Sequence, residues 1–155
     1  MDTDKIQTLL HHRPPYLMVS EVIEHSPEQI TTLKQHEGDE GHLTGHFPGH
    51  PVVPGAMMQE LCTQSAGILL TVHHSPVKDY DSRTTKGHAL GVLHKVKNAR
   101  YLKMASPQRP LTAQVELVHS IDNLFEFKAR VLQDENLVAK MTFQLLNLSD
   151  SVLDI

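Results

Sequence analysis

Apolar positions form one dense block near the middle of the chain and alternate with polar ones along most of its second half. From Ala56 to Val72 no proline intervenes, and Met57, Met58, Leu61, Cys62, Ala66, Ile68, Leu69 and Val72 spread around more than one helical face. A helix apolar on most sides is buried on most sides. Only Gln59, Glu60, Thr63 and Gln64 break the block, and Glu60 and Gln64 stand i, i+4 on one face. A carboxylate inside a helix otherwise bound for the interior is the main local anomaly, because burying a charge without partners is costly.

Upstream, Asp4 to Leu10 predicts a short amphipathic helix stopped by Pro14-Pro15. Tyr16 to Val19 with Glu21 to Ile23 reads as a strand, Pro27-Glu28 as a turn and Ile30 to His36 as a second strand. Downstream, His73 to Gly87 is polar and reads as a surface loop. Four strand-like runs follow, at Ala89 to Met104, Leu111 to His119, Leu124 to Leu132 and Leu137 to Leu146. Asp122-Asn123 and Asp134-Glu135-Asn136 supply turn chemistry between them. Hairpin spacing of this kind implies an antiparallel meander. The expected class is α+β: an antiparallel sheet of five to six strands wrapped around one long buried helix, with residues 1–155 forming a single domain.

Between strand and helix, Gly38 to Gly55 carries five glycines, three prolines and the histidines His42, His46 and His50. Such a density of glycine and proline predicts an ordered loop rather than helix or central strand.

Composition narrows the function classes. The 155 residues are 39% apolar, enough for a real core. The formal charge is −4 with no block of like charge, which disfavours nucleic acid as a partner. One cysteine excludes an intrachain disulfide framework and a multi-cysteine zinc site. No apolar run approaches the ~18 residues of a membrane span, and the start, Met1-Asp2-Thr3-Asp4, is acidic rather than signal-like. The expectation is a soluble, cytoplasmic protein without membrane insertion. Histidine is the outlier: protonating all 12 would swing the formal charge from −4 to +8, so charge depends strongly on pH between about 5 and 7.

The chemistry points to one place. Gly45-His46-Phe47-Pro48-Gly49-His50-Pro51-Val52-Val53-Pro54-Gly55 puts a histidine in a stiff loop just ahead of the buried helix, with Glu60 on that helix's second turn. An imidazole takes a proton near neutral pH, and a carboxyl among apolar side chains tends to keep one, so the pair can run base and acid chemistry together. Gly55, at the helix start, leaves a backbone N–H free for an oxyanion or a polarised carbonyl.

This run, continued through Met58-Gln59-Glu60 and Gln64 to Gly67, resembles the signature of the β-hydroxyacyl-acyl carrier protein dehydratases, hot-dog-fold enzymes of fatty acid synthesis. Leu10, His12, Arg13, Pro15, Leu17 and Val19 resemble the family's N-terminal motif, and Ala99-Arg100-Tyr101 with Lys103 its third-strand motif. The resemblance implies that His46 is the base removing the α-proton of a 3-hydroxyacyl thioester and Glu60 the acid protonating the departing 3-hydroxyl. It implies that Gly55 polarises the thioester carbonyl and that Gln64 orients the Glu60 carboxyl. Glutamate rather than aspartate at position 60 favours simple dehydration over dehydration with isomerisation. The implied activity is dehydration of (3R)-hydroxyacyl-acyl carrier protein thioesters to trans-2-enoyl thioesters, without cofactor or metal. The implied partners are a phosphopantetheine-bearing carrier protein and a second copy of the chain, as a homodimer or a trimer of dimers. The implied dimer builds each site from one chain's histidine and the other's acid. Departures are Ser20, Val53, His50, Gln108-Arg109 and the long 73–87 connection; Val53 and the connection bear on acyl-chain preference more than on reaction type.

Other chemistries compete with this one. An acyl thioesterase on the same fold would need Glu60 to activate water, and a non-catalytic acyl-binding subunit would have no use for both His46 and Glu60. His42, His46 and His50 share metal-ligand spacing for a helix, but Gly45, Pro48, Gly49 and Pro51 oppose a helix there. Cys62 reads as core filling. Lys95, Lys97 and Lys103 share one strand parity, with Tyr101 between them; they form either a solvated face or a landing site for an acidic carrier.

Overall fold

The computed structural model describes residues 1–85 and 90–149. Its order is α1 (Thr3–Leu9), β1 (Glu21–His25), β2 (Gln29–Lys34), α2 (Gly41–Thr44), α3 (Gly55–Leu69) continued by a π-turn (Leu70–His74), β3 (Leu90–Tyr101), β4 (Leu111–Ile121), β5 (Leu124–Gln133) and β6 (Asn136–Leu148). The six strands form one antiparallel sheet in the order β1-β2-β4-β5-β6-β3. Alternate residues of β4, β5 and β6, among them Leu111, Val115, Phe127, Val131, Phe143 and Leu145, are buried with Leu61, Ile68 and Leu69 of α3 in one core. This α+β hot-dog arrangement is the one the resemblance implies, with six strands. Period-two burial from β4 to β6 explains why those strands were legible in the sequence.

Several expected elements differ. Tyr16 to Val19 is not strand, because its backbone is engaged elsewhere: the Leu17 N–H donates to Arg13 O and the Met18 N–H to the Gln64 side chain. The glycine-rich segment does hold one helical turn, α2, where no proline interrupts and Leu43 is fully buried. Pro54 is the N-cap of α3, and Gly55 is its first helical residue. The expected surface loop after the helix is a docked strap. Tyr80 is buried, its hydroxyl bonds His11 Nε2 at 2.7 Å, and Ser82 bonds Gln7 O and Thr8 O. Its last two residues, Lys86 and Gly87, lie outside the described residues, as does Ala89 of the next run.

A buried charge cluster holds the base of the His46 loop. Lys34 Nζ lies 3.3 Å from Glu40 Oε1, and the carboxylate also accepts the N–H groups of Glu37 and Gly38 at 3.1 and 2.8 Å. Burial alone would raise the Glu40 carboxyl, but these N–H donors and the Lys34 ammonium outweigh it and hold it down at about 2. His36, beside them, is pushed down to about 4 by burial first and by Lys34 next; neither of its ring nitrogens meets a protein partner. Both groups make acid destabilising. Between pH 6.5 and about 4 the unfolded chain protonates at position 36 before the folded one does, so stability falls as pH falls through that window. The Glu40 contribution is complete above about 4.5 and drains away toward about 2. Leucine at position 36 should therefore flatten the dependence of the urea midpoint on pH between 6.5 and 4 while leaving the lower window in place. A variant that kept the full slope would assign it to other histidines.

Candidate functional site

Glu60 lies on the second turn of α3 with its side chain 19% exposed, at a cavity of about 350 Å³. Helical spacing brings two donors to its carboxyl: Gln64 Nε2 to Oε1 at 2.8 Å and Thr63 Oγ1 to Oε2 at 3.3 Å. Gln64 is itself fixed, donating to Tyr16 O at 2.9 Å and accepting the Met18 N–H at 2.7 Å. The amide predicted to orient the carboxyl thus ties it to the segment after Pro15. Burial first, then the charge of the nearby Glu60, raises the Tyr16 phenol above its ordinary value. His12 Nε2 stands 3.6 Å from Glu60 Oε1, too long for a hydrogen bond, and its ring stacks on Tyr16. Burial lowers the His12 imidazole, partly offset by the Glu60 charge. Leu10, Val92 and Leu93 make the cavity's apolar wall. A carboxyl at the head of an apolar slot suits an acyl ligand with one polar centre.

His46 follows α2. Its N–H donates to Leu43 O, its carbonyl accepts the Val52 N–H, and its Nδ1 lies 3.0 Å from Val52 O. A carbonyl only accepts, so Nδ1 carries the proton and the lone pair of the neutral ring is on Nε2. That is the tautomer a base needs. The Phe47 ring stacks on the imidazole and is 57% exposed. His46 does not line the Glu60 cavity, and no bond joins the two side chains.

Gly55 opens α3, and its N-cap, Pro54, offers no side-chain bond, so the first N–H groups of the helix lack that partner. A Cβ at Gly55 would meet the Tyr101 ring at 3.0 Å, which is why no side chain stands there. Tyr101 of the third-strand motif therefore covers the start of the helix, an association no spacing rule predicts.

The three lysines do not form one row. Lys95 and Lys97 keep their shared parity, but the register shift in β3 between Lys97 and Arg100 breaks it before Lys103, which lies beyond the strand. Lys97 is paired with Glu126 at 2.6 Å, Lys103 reaches Asn136 at 3.4 Å, and Lys95 is exposed. The register instead sets Arg100 opposite Lys140 and Lys140 opposite Arg130, across β3, β6 and β5. All three are exposed, and among the described residues none forms an ion pair. Only strand pairing reveals that row. A larger depression of about 580 Å³ on the sheet's solvent face reaches Arg130 and Lys140 but none of the acid–base residues.

Cys62 is fully buried, and burial pushes its thiol up to about 12. It is core, as its place in the apolar block suggests. Alkylation by iodoacetamide at pH 8 should be far slower in the native protein than in urea; equal rates would contradict this burial. No group of three or more His, Cys, Asp or Glu side chains is placed to hold a metal among the described residues.

The FabA-like domain family matches residues 10–142. The chain is 34% identical over 137 residues to the 3-hydroxyacyl-[acyl-carrier-protein] dehydratase FabZ of Ralstonia nicotianae, covering 88% of this chain and 79% of that protein. It is 34% identical over 119 residues to the enzyme of the same name from Legionella pneumophila, covering 76% and 75%. Among solved structures, the dehydratase heterocomplex ApeI:P from Xenorhabdus doucetiae superposes with a TM-score of 0.77 at 17% identity, over 96% of this chain and 93% of that one.

Proposed function

This chain belongs to the FabA-like domain family, and on that premise we propose that it dehydrates (3R)-hydroxyacyl-acyl carrier protein thioesters to trans-2-enoyl thioesters in fatty acid or related lipid biosynthesis. The observation that carries the reading is the Glu60 carboxyl, tied down by Gln64 at the head of an apolar cavity. His46 Nε2 takes the α-proton, and the electron pair left behind forms the double bond. Glu60 protonates the departing 3-hydroxyl, which leaves as water. The N–H of Gly55, at the positive end of α3, polarises the thioester carbonyl and makes the α-proton more acidic. Neither a thioesterase nor a binding subunit accounts for a base-ready imidazole and an oriented acid together. The test is to supply 3-hydroxyacyl thioesters of graded length and follow the ultraviolet absorbance of the conjugated enoyl thioester. Release of free thiol instead would favour hydrolysis.

The reading includes a cytoplasmic homodimer. Among the described residues strand β3 is a sheet edge paired only with β6, and it is 12 residues long. Val92, Leu93 and Tyr101 along it, with Leu102 and Met104 just beyond, are exposed apolar residues. A long apolar edge calls for a partner, and a second β3 would bring another chain's loop toward the Glu60 cavity, which Val92 and Leu93 line. For the carrier protein, Lys95 and the Arg100–Lys140–Arg130 row take the place of Lys97, whose charge Glu126 already answers. No helix among the described residues is long and apolar enough to cross a membrane.

A further inference from the structure

A hydroxyl is a poor leaving group, and its oxygen can accept more than one hydrogen bond as its bond to carbon breaks. We infer that His12 donates a hydrogen bond from Nε2–H to the departing 3-hydroxyl oxygen while Glu60 protonates it; this rests on the dehydratase reading above.

The placement comes first. His12 and Glu60 line the same cavity, with Nε2 3.6 Å from Oε1. That gap is too long for a bond between the two and short enough for one oxygen to reach both. The carboxyl's other neighbours are already committed. Gln64 Nε2 donates to Glu60 Oε1 and to Tyr16 O, and the Thr63 hydroxyl is held by the Glu60 carbonyl and carboxyl. No hydrogen bond among the described residues claims His12 Nε2. The ring stacks on Tyr16, with centroids 5.9 Å and planes 22° apart, and Arg13 donates to His12 O at 2.8 Å.

The tautomer follows from the surroundings. Nδ1 is buried without a protein partner, so a proton there would be a stranded N–H. At Nε2 the proton faces the cavity and the Glu60 carboxyl instead. Burial keeps the ring neutral near pH 7; the Glu60 charge works against this, and His11 and Arg13 work with it. A neutral ring suits the task. A fixed donor binds more strongly as negative charge grows on the acceptor, with no change in its own protonation. In the step, the carbon–oxygen bond breaks and its electron pair goes to the oxygen. The Glu60 proton moves to that oxygen, and water leaves. The Nε2–H bond of His12 stays intact throughout, and nothing is oxidised or reduced.

The test uses the purified full chain and two N-acetylcysteamine thioesters of one acyl length, bearing a 3-hydroxyl or a 3-chlorine. Both eliminate to the same enoyl thioester, but chloride leaves without a proton and makes weaker hydrogen bonds. His12→Met keeps the bulk and removes the donor. It should lower kcat on the 3-hydroxyl substrate about tenfold to a hundredfold, and on the 3-chloro substrate less than about threefold. His12→Gln brings an amide N–H to nearly the same place and should recover much of the loss. Both rates are read on one preparation, so a partly unfolded variant lowers them alike and leaves their ratio unchanged. Should the methionine protein not fold, His12→Asn, polar but too short to reach, should show the same selective loss. Equal losses on the two substrates, or no loss on the 3-hydroxyl one, would overturn the role of His12 alone. A wild-type protein that forms no enoyl thioester from the 3-hydroxyl substrate overturns the dehydratase reading itself, before any variant is made.

Discussion

Alanine at Glu60, or at His46, should lower kcat for dehydration by about 10²–10⁴-fold while the protein stays folded. The fold should tolerate both changes because the backbone bonds around each residue survive. Without the Glu60 carboxyl, Gln64 still donates to Tyr16 O and still accepts the Met18 N–H, so α3 remains tied to the N-terminal segment. Without the imidazole, Val52 N–H to residue 46 O and residue 46 N–H to Leu43 O still close the loop. Glu60→Gln is the stricter variant: it keeps an acceptor for the Gln64 amide but has no acid to give, and should be as slow as alanine. Turnover of a 3-hydroxyacyl thioester, with thermal unfolding as the control, decides the matter. Near-wild-type turnover from either alanine protein would remove that residue from the mechanism.

Mixing those two inactive proteins, unfolded and refolded together, should return about a quarter of wild-type activity. The reason lies in what one chain fails to assemble: His46 does not line the cavity that holds Glu60. If each site takes its histidine from one protomer and its acid from the other, a mixed dimer has one doubly defective site and one intact site. Random pairing makes half the dimers mixed, and half of their sites are whole. A site built within one chain would keep a lesion everywhere, so well-folded mixed dimers with no activity would refute the shared architecture.

Much of this fold was legible because burial follows sequence period. Burial alternates along β5, the first half of β4 and most of β6, and the apolar block of α3 needs no tertiary knowledge to be read as a buried helix. Glu60 and Gln64 were legible for the same reason, since i, i+4 on a helix is a distance as well as a spacing. What stayed hidden depends on contacts between segments far apart in the chain. The Met18 N–H finds the Gln64 side chain 46 residues later, which is why an apolar run at 16–19 is not a strand. His12 and Tyr16 meet Glu60 only because the turn around Pro14 and Pro15 folds back on α3. Strap docking needs Tyr80 and Ser82 to find α1 and its following turn, 69 to 75 residues earlier. The bulge in β3 after Lys97 takes Lys103 out of the parity it shares in sequence with Lys95 and Lys97.

The strand order also sets a timetable for the growing chain. Strand β3 ends at residue 101, yet its one partner among the described residues, β6, begins at residue 136 and runs to residue 148. On the ribosome, β1, β2, β4 and β5 can pair in sequence as they emerge, while the backbone edge of β3 that β6 takes stays unpaired until β6 has been made. Pairing at such separation is slow, and a waiting apolar strand can be captured by another chain. A stalled or shortened product that ends before residue 136 would expose β3 along both edges, making it far more prone to aggregate than one that stops a dozen residues later.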